Sequence, residues 1–339
     1  MKKLLTFLAA AVLLLVCVSC NRNAEVPVED RVVVAYVTSW TSEIPDPTVM
    51  THLNYAFGHV NDTFDGVRID NPDRLKAMVA LKEICPDLNV MLSVGGWGSG
   101  RFSEMAADDA CRKSFADDCM RVVQEFGLDG IDIDWEYPTS NAAGISSSPD
   151  DTDNFTKLMR DIRASIGKDK FLTLATAASA EYIDFKAIMK YVDFVNIMAY
   201  DMANAPKHHS ALYESENSGE ITSDMAVKAH HKAGVPMRKL VLGMPFYGRG
   251  GVRHLGFNDY KDIVKDTVYA KMWDDKALVP YVADEDGTLL LGYEDPVSLT
   301  IKCRYAIENG MKGAMYWDYN GDNEAGNLSR TLAAEILGR

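Results

Sequence analysis

Three carboxylates recur at every second residue in one short segment of the chain, Asp132, Asp134 and Glu136. Because side chains alternate along a β-strand, the three would share one face, about 6.5–7 Å apart along the strand. Like charges disfavour one another's ionisation, so at least one carboxyl should keep its proton near neutral pH, as a general acid must. The intervening residues are isoleucines and a tryptophan, which suit a buried strand better than a solvated edge strand.

Segments of apolar and β-branched residues recur along the chain, and segments with helical periodicity lie between them. The predicted strands are Arg31–Val37, His52–Phe57, Asn89–Val94, Leu128–Trp135, Phe171–Ala177, Asp193–Tyr200, Leu240–Phe246 and Gly313–Trp317. The predicted helices are Pro72–Ile84, Ala110–Phe126, Thr152–Ile166, Phe185–Tyr191, Ser223–Ala233, Val297–Glu308 and Leu328–Leu337. This alternation predicts an α/β fold, a (β/α)8 TIM barrel over residues 31–339, with catalytic residues at the C-terminal ends of the strands.

Two of the connections that leave strands are long. Residues 201–222 follow the sixth strand, and residues 248–296 separate the seventh strand from the eighth. The second connection contains aromatic and alternating segments, which predict a small α+β insertion at about residues 249–296, over the mouth of the barrel.

Composition limits the classes of partner. The chain has 339 residues and 47% hydrophobic content, enough for a sizeable core, and its formal net charge is −14. Nucleic acid is therefore an improbable ligand, and an anionic polymer is a poor substrate.

The N-terminus has the basic and apolar regions of a secretory signal, which we assign to residues 1–19. Loss of Lys2 and Lys3 with this signal would take the net charge from −14 to −16. Cys20 resembles the lipid-modified cysteine of bacterial lipoproteins, although Cys17 stands where a leucine is usual. We therefore expect an exported lipoprotein held at the periplasmic or outer cell surface by a lipid anchor alone, with residues 20–30 as a tether. A plain cleaved signal is the alternative.

Five motifs in register resemble glycoside hydrolase family 18, the chitinases and their relatives. They are Asp129-x-x-Asp132-x-Asp134-x-Glu136, Ser93-Val94-Gly95-Gly96, Met198-Ala199-Tyr200-Asp201, Phe246-Tyr247-Gly248-Arg249 and Tyr316-Trp317. The acidic motif is complete, and the resemblance extends over about residues 33–322.

The resemblance implies a role for each acidic residue. Glu136 would protonate the glycosidic oxygen while the substrate's own acetamido oxygen attacks the anomeric carbon, so that no enzyme nucleophile is needed. Asp134 would turn toward the acetamido N–H, and Asp132 would support it from deeper in the barrel, near Ser93. Asp129 is interpreted as structural.

The resemblance also implies the residues that bind the sugar. Tyr200 would orient the acetamido group, Asp201 would bind sugar hydroxyls or tune Glu136, Met198 would line the pocket, and Trp317 would form its floor. Further strand-end candidates are Tyr36, Phe57 and Tyr247, with core packing an equal alternative for Phe57. The loop residues Trp40, Trp97 and Trp273 could stack on outer sugars or simply pack in their loops.

No cofactor or metal site is indicated. The histidine pairs His208-His209 and His230-His231 lack ligand spacing, and we expect them at the surface. The cysteines that follow the signal, Cys85, Cys111, Cys119 and Cys303, are expected to be buried free thiols.

The resulting hypothesis is a retaining hydrolase that cleaves β-1,4 bonds after N-acetylglucosamine in chitin or its oligosaccharides. An endo-β-N-acetylglucosaminidase acting on the chitobiose core of N-glycans remains an alternative, because it shares the acidic motif. A non-catalytic glycan-binding lipoprotein is the alternative from another class, and the presence of Glu136 argues against it.

Overall fold

A computed structural model describes residues 25–250 and 258–339. The predicted signal, Cys20 and residues 21–24 of the predicted tether lie outside the described residues. Residues 25–30 pack against the barrel, since Val26 is buried and its carbonyl accepts a hydrogen bond from Arg31 Nε at 2.9 Å. None of the helices in the described part of the chain is long and apolar enough to cross a membrane.

Eight parallel strands form a closed barrel, as predicted. They are β1 (Val32–Thr38), β2 (His52–Val60), β3 (Asn89–Gly95), β4 (Gly130–Asp134), β5 (Phe171–Ala177), β6 (Phe194–Met198), β7 (Leu240–Pro245) and β8 (Gly313–Trp317). Each strand pairs with its neighbour in chain order, and β1 pairs with both β2 and β8 to close the ring. All the C-terminal strand ends therefore meet at one mouth.

The helices surround this ring. They are α1 (Pro72–Ala80), α2 (Phe102–Ala107), α3 (Asp109–Phe126), α4 (Asp151–Ile166), α5 (Phe185–Ile188), α6 (Ser223–Ala233), α7 (Tyr260–Ile263), α8 (Pro296–Glu308) and α9 (Asn327–Leu332). The seven predicted helices are present in the predicted order, although several are shorter. The sequence analysis missed α2, α7 and a short strand, Val67–Ile69, which pairs antiparallel with β2.

Local sequence explains where the helices begin and end. Asp108 caps α3 by accepting hydrogen bonds from the backbone of Ala110 and Cys111, and Gly127 ends the helix in the left-handed conformation, with φ 69°. At α8, Asp295 and Ser298 form a reciprocal capping box.

The insertion between β7 and β8 is an α+β unit, as predicted. Its antiparallel sheet consists of Ala270–Asp274, Val279–Ala283, Leu289–Gly292 and Arg249–Gly250, in that spatial order, and α7 belongs to the same segment.

Two apolar layers hold the barrel. The inner layer includes Val34, Tyr36, Phe194, Val241 and Met315, which fill the space between the strands. The outer and larger layer lies between the strands and the helices, and apolar residues from both are fully buried there. Burial on both faces explains why the strands read as continuous apolar runs rather than as alternating patterns.

The structure corrects one expectation about the histidines. His208, His209 and His230 are almost fully buried, and only His231 is exposed, so the prediction of surface pairs was wrong. Folding of residues 201–222 beneath the insertion buries the first pair, and α6 turns His230 toward the barrel.

The four described cysteines are free. Cys119 and Cys303 are buried, whereas Cys85 and Cys111 are only half-buried, so the expectation of burial was right for two of them.

Candidate active site

The acidic segment follows the predicted alternation. Trp135 points outward and stacks on Phe102, with ring centroids 5.3 Å apart and an interplanar angle of 13°. Asp134 and Glu136 point the other way, into a cavity at the mouth of the barrel, and Asp132 lies beneath them in the barrel interior. The three carboxyl groups are thereby stacked along one strand and its exit.

Asp132 is fully buried and its carboxylate accepts four hydrogen bonds. Tyr36 and Ser93 donate their hydroxyls to Oδ2, both at 2.8 Å, while Thr173 donates to Oδ1 at 2.5 Å and the Asn196 amide at 3.3 Å. Ser93 and Thr173 reach Asp132 because they are its direct partners on the adjacent strands. Burial raises the pKa of Asp132, and these four donors oppose that shift.

Asp134 is also buried, but its Oδ1 has no hydrogen-bond partner among the described residues. Burial raises the pKa of Asp134 well above its usual value, and repulsion from Glu136 and Asp132 raises it further. Burial likewise raises the pKa of Glu136, to about 7, and the nearby charge of Asp201 adds to this effect. Asp134 and Glu136 are therefore a coupled pair that retains a proton near neutral pH.

Asp201 follows β6 in a left-handed backbone conformation, with φ 55°. Tyr247 donates its hydroxyl to Asp201 Oδ1 at 2.8 Å, Arg249 Nη1 lies 2.8 Å from the same oxygen, and His209 Nδ1 lies 3.3 Å away. Burial alone would raise the pKa of Asp201, but the hydrogen bonds from His209 and Tyr247 and the charge of Arg249 lower it. Asp201 is thus an anion that faces Glu136.

Aromatic rings form one wall of the cavity. The Trp317 ring stacks on Phe57, with centroids 5.4 Å apart and planes 18° apart, and the Tyr36 ring lies 5.6 Å from Trp317. Trp40 extends this cluster at 6.4 Å from Trp317, and 66% of its surface remains exposed. Trp97 packs edge-on against a different ring, that of Tyr137, the residue after Glu136.

The cavity has a volume of about 170 Å³. Its lining consists of Tyr36, Phe57, Trp97, Asp134, Glu136, Ala175, Met198, Tyr200, Asp201, Tyr247 and Trp317. Ten of the fourteen residues proposed from the sequence line it. Asp132 and Ser93 lie directly beneath it, and Trp40 and Trp273 are outside its lining. A larger cavity of about 480 Å³ lies at the opposite end of the barrel, but it has no coupled carboxyl pair.

One glycine is required by the close approach of neighbouring strands. A Cβ on Gly95, whose φ is 133°, would lie 1.9 Å from the Asp134 carbonyl oxygen. The next residue, Gly96, donates its backbone N–H to that oxygen at 2.8 Å. The glycines at the end of β3 therefore allow the backbone of β3 to approach and hydrogen-bond the end of β4, which carries Asp134.

Comparison with known protein families shows which family the chain belongs to. The model of the family described as "Glycosyl hydrolases family 18" matches residues 32–322. The chain belongs to glycoside hydrolase family 18. It is therefore a glycoside hydrolase, and the cavity at the mouth of its barrel is the candidate active site.

Relatives of this family 18 enzyme include well-matched chitinases. Chitinase A1 of Niallia circulans is 32% identical over 349 residues, which cover 88% of this chain and 50% of the relative. Chitinase B of Serratia marcescens is 26% identical over 408 residues, which cover 88% of this chain and 80% of the relative. The chain thus spans only half the length of Chitinase A1.

Among solved structures, a family 18 N-acetylglucosaminidase from Paenibacillus barengoltzii has a TM-score of 0.81 and 33% identity. The match covers 90% of this chain and 99% of that chain. Chitinase ChiA74 from Bacillus thuringiensis has a TM-score of 0.82 and 27% identity, over 91% of this chain and 70% of that chain.

Other residues discussed from the sequence lie elsewhere in the family 18 enzyme. Asp129 is at the opposite end of β4, where its carboxylate accepts hydrogen bonds from Lys82 Nζ at 2.7 and 2.8 Å and from the Val90 backbone N–H. Trp273 is in the first strand of the insertion sheet, outside the lining of the cavity.

The sequence analysis missed Thr173, Asn196 and His209. Thr173 and Asn196 are inward-facing positions of β5 and β6, so alternation could have placed them inside the barrel. Their contact with Asp132 depends on strand register, which the sequence does not display. His209 belongs to a long loop, and only the loop's folded path brings it to Asp201.

Proposed function

We propose that this enzyme hydrolyses β-1,4 bonds after N-acetylglucosamine in chitin oligosaccharides, with retention of configuration and assistance from the substrate. The observation that carries this proposal is the coupled pair of Asp134 and Glu136, in which Glu136 has a pKa of about 7 and Asp134 has an unpaired oxygen. The chitinase and N-acetylglucosaminidase relatives support the choice of substrate.

In the first step, the acetamido carbonyl oxygen attacks the anomeric carbon of its own sugar. The bond from this carbon to the glycosidic oxygen breaks, and the Glu136 carboxyl proton passes to the departing oxygen. The products are an alcohol and a cyclic oxazolinium ion, whose positive charge is balanced by the carboxylate left on Glu136. The protonated state required for this step is the one that burial favours at Glu136.

Asp134 and Tyr200 would hold the acetamido group in place. The unpaired Oδ1 of Asp134 can accept the acetamido N–H, and the Tyr200 hydroxyl can donate to the carbonyl oxygen. In the second step, water attacks the anomeric carbon from the face that the leaving group vacated, and Glu136 removes its proton. The ring opens, the acetamido group is restored, and the configuration is retained.

The small cavity and compact insertion favour soluble oligomers as substrates. Trp317 offers an aromatic surface for the sugar at the cleavage point, and the tryptophans that are largely exposed beside it are Trp40 and Trp97. Extraction of a chain from crystalline chitin needs many such contacts to offset lattice interactions. We therefore propose faster turnover of soluble N-acetylglucosamine oligomers than of crystalline chitin, which product rates on the two substrates would test.

The decisive experiment is the Glu136→Gln variant assayed on N-acetylglucosamine oligomers, with cellulose oligomers and a glycoprotein as parallel substrates. We expect kcat to fall about 10²–10⁴-fold while oligomer binding is retained, because only the acid is lost. Substantial hydrolysis by the folded variant would overturn the role of Glu136. Cleavage of cellulose oligomers by the wild type would reject substrate assistance, and preferential release of N-glycans would identify an endo-β-N-acetylglucosaminidase instead.

We also propose that the protein is exported and anchored through a lipid on Cys20. The basic and apolar N-terminus and the position of Cys20 support this proposal. Incorporation of labelled fatty acid into the full chain, and its loss in Cys20→Ala, is the expected result. Equal labelling of both proteins would reject the anchor.

A further inference from the structure

His209 is the least expected neighbour of the active site. It is fully buried in the segment that follows β6, and its Nδ1 lies 3.3 Å from Asp201 Oδ1 and 3.4 Å from the Asp201 backbone N. The Met202 N–H also donates to the His209 carbonyl at 3.0 Å. One residue therefore contacts the side chain and backbone of Asp201 and the backbone of the residue that follows it.

The protonation of the imidazole follows from what surrounds it. Nε2 of His209 is buried and has no hydrogen-bond partner among the described residues. Nδ1 can either donate to Asp201 Oδ1 or accept from the Asp201 backbone N–H, but not both. Since a hydrogen on Nε2 would be a buried donor without a partner among the described residues, we assign the hydrogen to Nδ1. Nδ1 then donates to Asp201 Oδ1, and the Asp201 backbone nitrogen is a close neighbour rather than a donor to the ring. Nδ1 is thus a fixed donor to Asp201.

The path of the chain explains how His209 is held. Its neighbours His208 and Ser210 point away from the active site, toward the insertion and its flanks. His208 Nε2 lies 3.3 Å from Asp274, and Ser210 Oγ donates to Glu294 at 2.6 Å. Side chains therefore alternate along residues 208–210, and the insertion fixes the segment on one side while His209 contacts Asp201 on the other.

We infer that His209 is a positioning residue, which holds Asp201 in its left-handed conformation and in the ionised state that faces the catalytic acid. The inference rests on the proposed function, because it assigns Glu136 the role of general acid. The titratable and charged groups that face Asp201 are Glu136, Tyr137, Tyr200, Tyr247, Arg249 and His209. Among them, His209 is the one that belongs to the loop held by the insertion.

The test compares His209→Leu, which removes the donor, with His209→Asn, whose amide nitrogen can take the place of Nδ1. Loss of the donor should raise the pKa of Asp201, so the acid limb of the pH profile of kcat should move upward. For His209→Leu we expect kcat to fall about tenfold, KM to change less than about twofold, and the acid limb to rise by about half a pH unit or more. His209→Asn should restore the wild-type profile.

His208→Asn is the matched control, because it removes a buried histidine contact one residue away on the insertion side. We expect it to lower thermal stability without moving the acid limb. If His209→Leu does not fold, His209→Gln serves instead, since its longer side chain carries the amide away from Nδ1's position.

Three results would overturn the inference: an unchanged acid limb when the donor is lost, failure of Asn to restore the profile, or an equal limb shift in His208→Asn. The Glu136→Gln variant assayed in parallel separates this outcome from failure of the proposed function. An inactive Glu136→Gln with an unchanged limb in His209→Leu rejects only the role of His209, whereas an active Glu136→Gln rejects both.

Discussion

Asp132 and Asp134 occupy equivalent inward positions of one strand, and their surroundings are opposite. Both carboxyl groups are buried. Asp132 accepts four hydrogen bonds, which stabilise its charge, whereas Asp134 Oδ1 lacks a partner among the described residues and the group lies between two other acids. The contrast shows that burial alone does not make a carboxyl group reactive. The distribution of donors does.

The division has a clear chemical use. Four donors fix the carboxylate of Asp132. In the proposed mechanism, the acceptor left without a partner at Asp134 would bind a substrate group. Unpaired buried polar atoms cost stability, and they are retained where function needs them. The same reasoning explains the high pKa of Glu136, which an exposed glutamate would not have.

Between the two aspartates, the larger expected effect is the loss of activity in Asp134→Asn. The amide replaces one carboxyl oxygen with an NH₂ donor and so removes an acceptor for the acetamido N–H, and we expect kcat on N-acetylglucosamine oligomers to fall about 10²–10³-fold. Steady-state kinetics on a soluble oligomer would measure this fall.

The control for Asp134→Asn is its unfolding free energy, which should stay equal to that of the wild type or exceed it, because a neutral amide is cheaper to bury. A variant that keeps near-wild-type kcat would remove Asp134 from the mechanism. A large loss of stability would instead show that Asp134, like Asp132, supports the fold.

The pH dependence of turnover tests whether the charge of Asp201 raises the pKa of Glu136. In the proposed mechanism Glu136 must carry a proton, and its pKa is raised to about 7, so kcat/KM should fall about tenfold per pH unit above that value. In Asp201→Asn this basic limb should move to lower pH, because the negative charge that raises the pKa of Glu136 is gone. An unmoved limb would show that Asp201 acts only through contacts with the sugar.

The sequence could predict the inward row of acids and the ring of strands because both depend on local periodicity. The four donors to Asp132 come from β1, β3, β5 and β6, and their convergence depends on non-local strand register. His209 was predicted at the surface because the adjacent histidines lack the spacing of metal ligands. Its burial follows from the insertion packing over residues 201–222, a tertiary effect with no local signal.

Glu136→Gln should also change stability in a pH-dependent way. A carboxyl group whose pKa rises from its usual 4.5 to about 7 on folding disfavours the folded state once the pH exceeds the unfolded value. The variant should therefore match the wild type near pH 4 and be more stable by about 1–3 kcal/mol at pH 8. Urea unfolding at the two pH values would measure this difference, and a constant difference across the range would contradict a folding-linked shift at Glu136.

The smallest expected effect is a difference in stability between variants that each remove one hydrogen bond to Asp132, one at Oδ1 and one at Oδ2. Thr173→Val removes the 2.5 Å hydrogen bond and leaves Oδ1 with only the 3.3 Å contact to Asn196, whereas Ser93→Ala leaves Oδ2 with the Tyr36 hydroxyl at 2.8 Å. Each variant should lose about 1–3 kcal/mol of unfolding free energy, with Thr173→Val the more destabilised by about 1 kcal/mol. Both should keep kcat within about threefold of the wild type, since neither touches the substrate. Urea unfolding would measure both losses. An equal or greater loss in Ser93→Ala would contradict this prediction, because it would mean that other donors replace the hydrogen bond that Oδ1 loses in Thr173→Val.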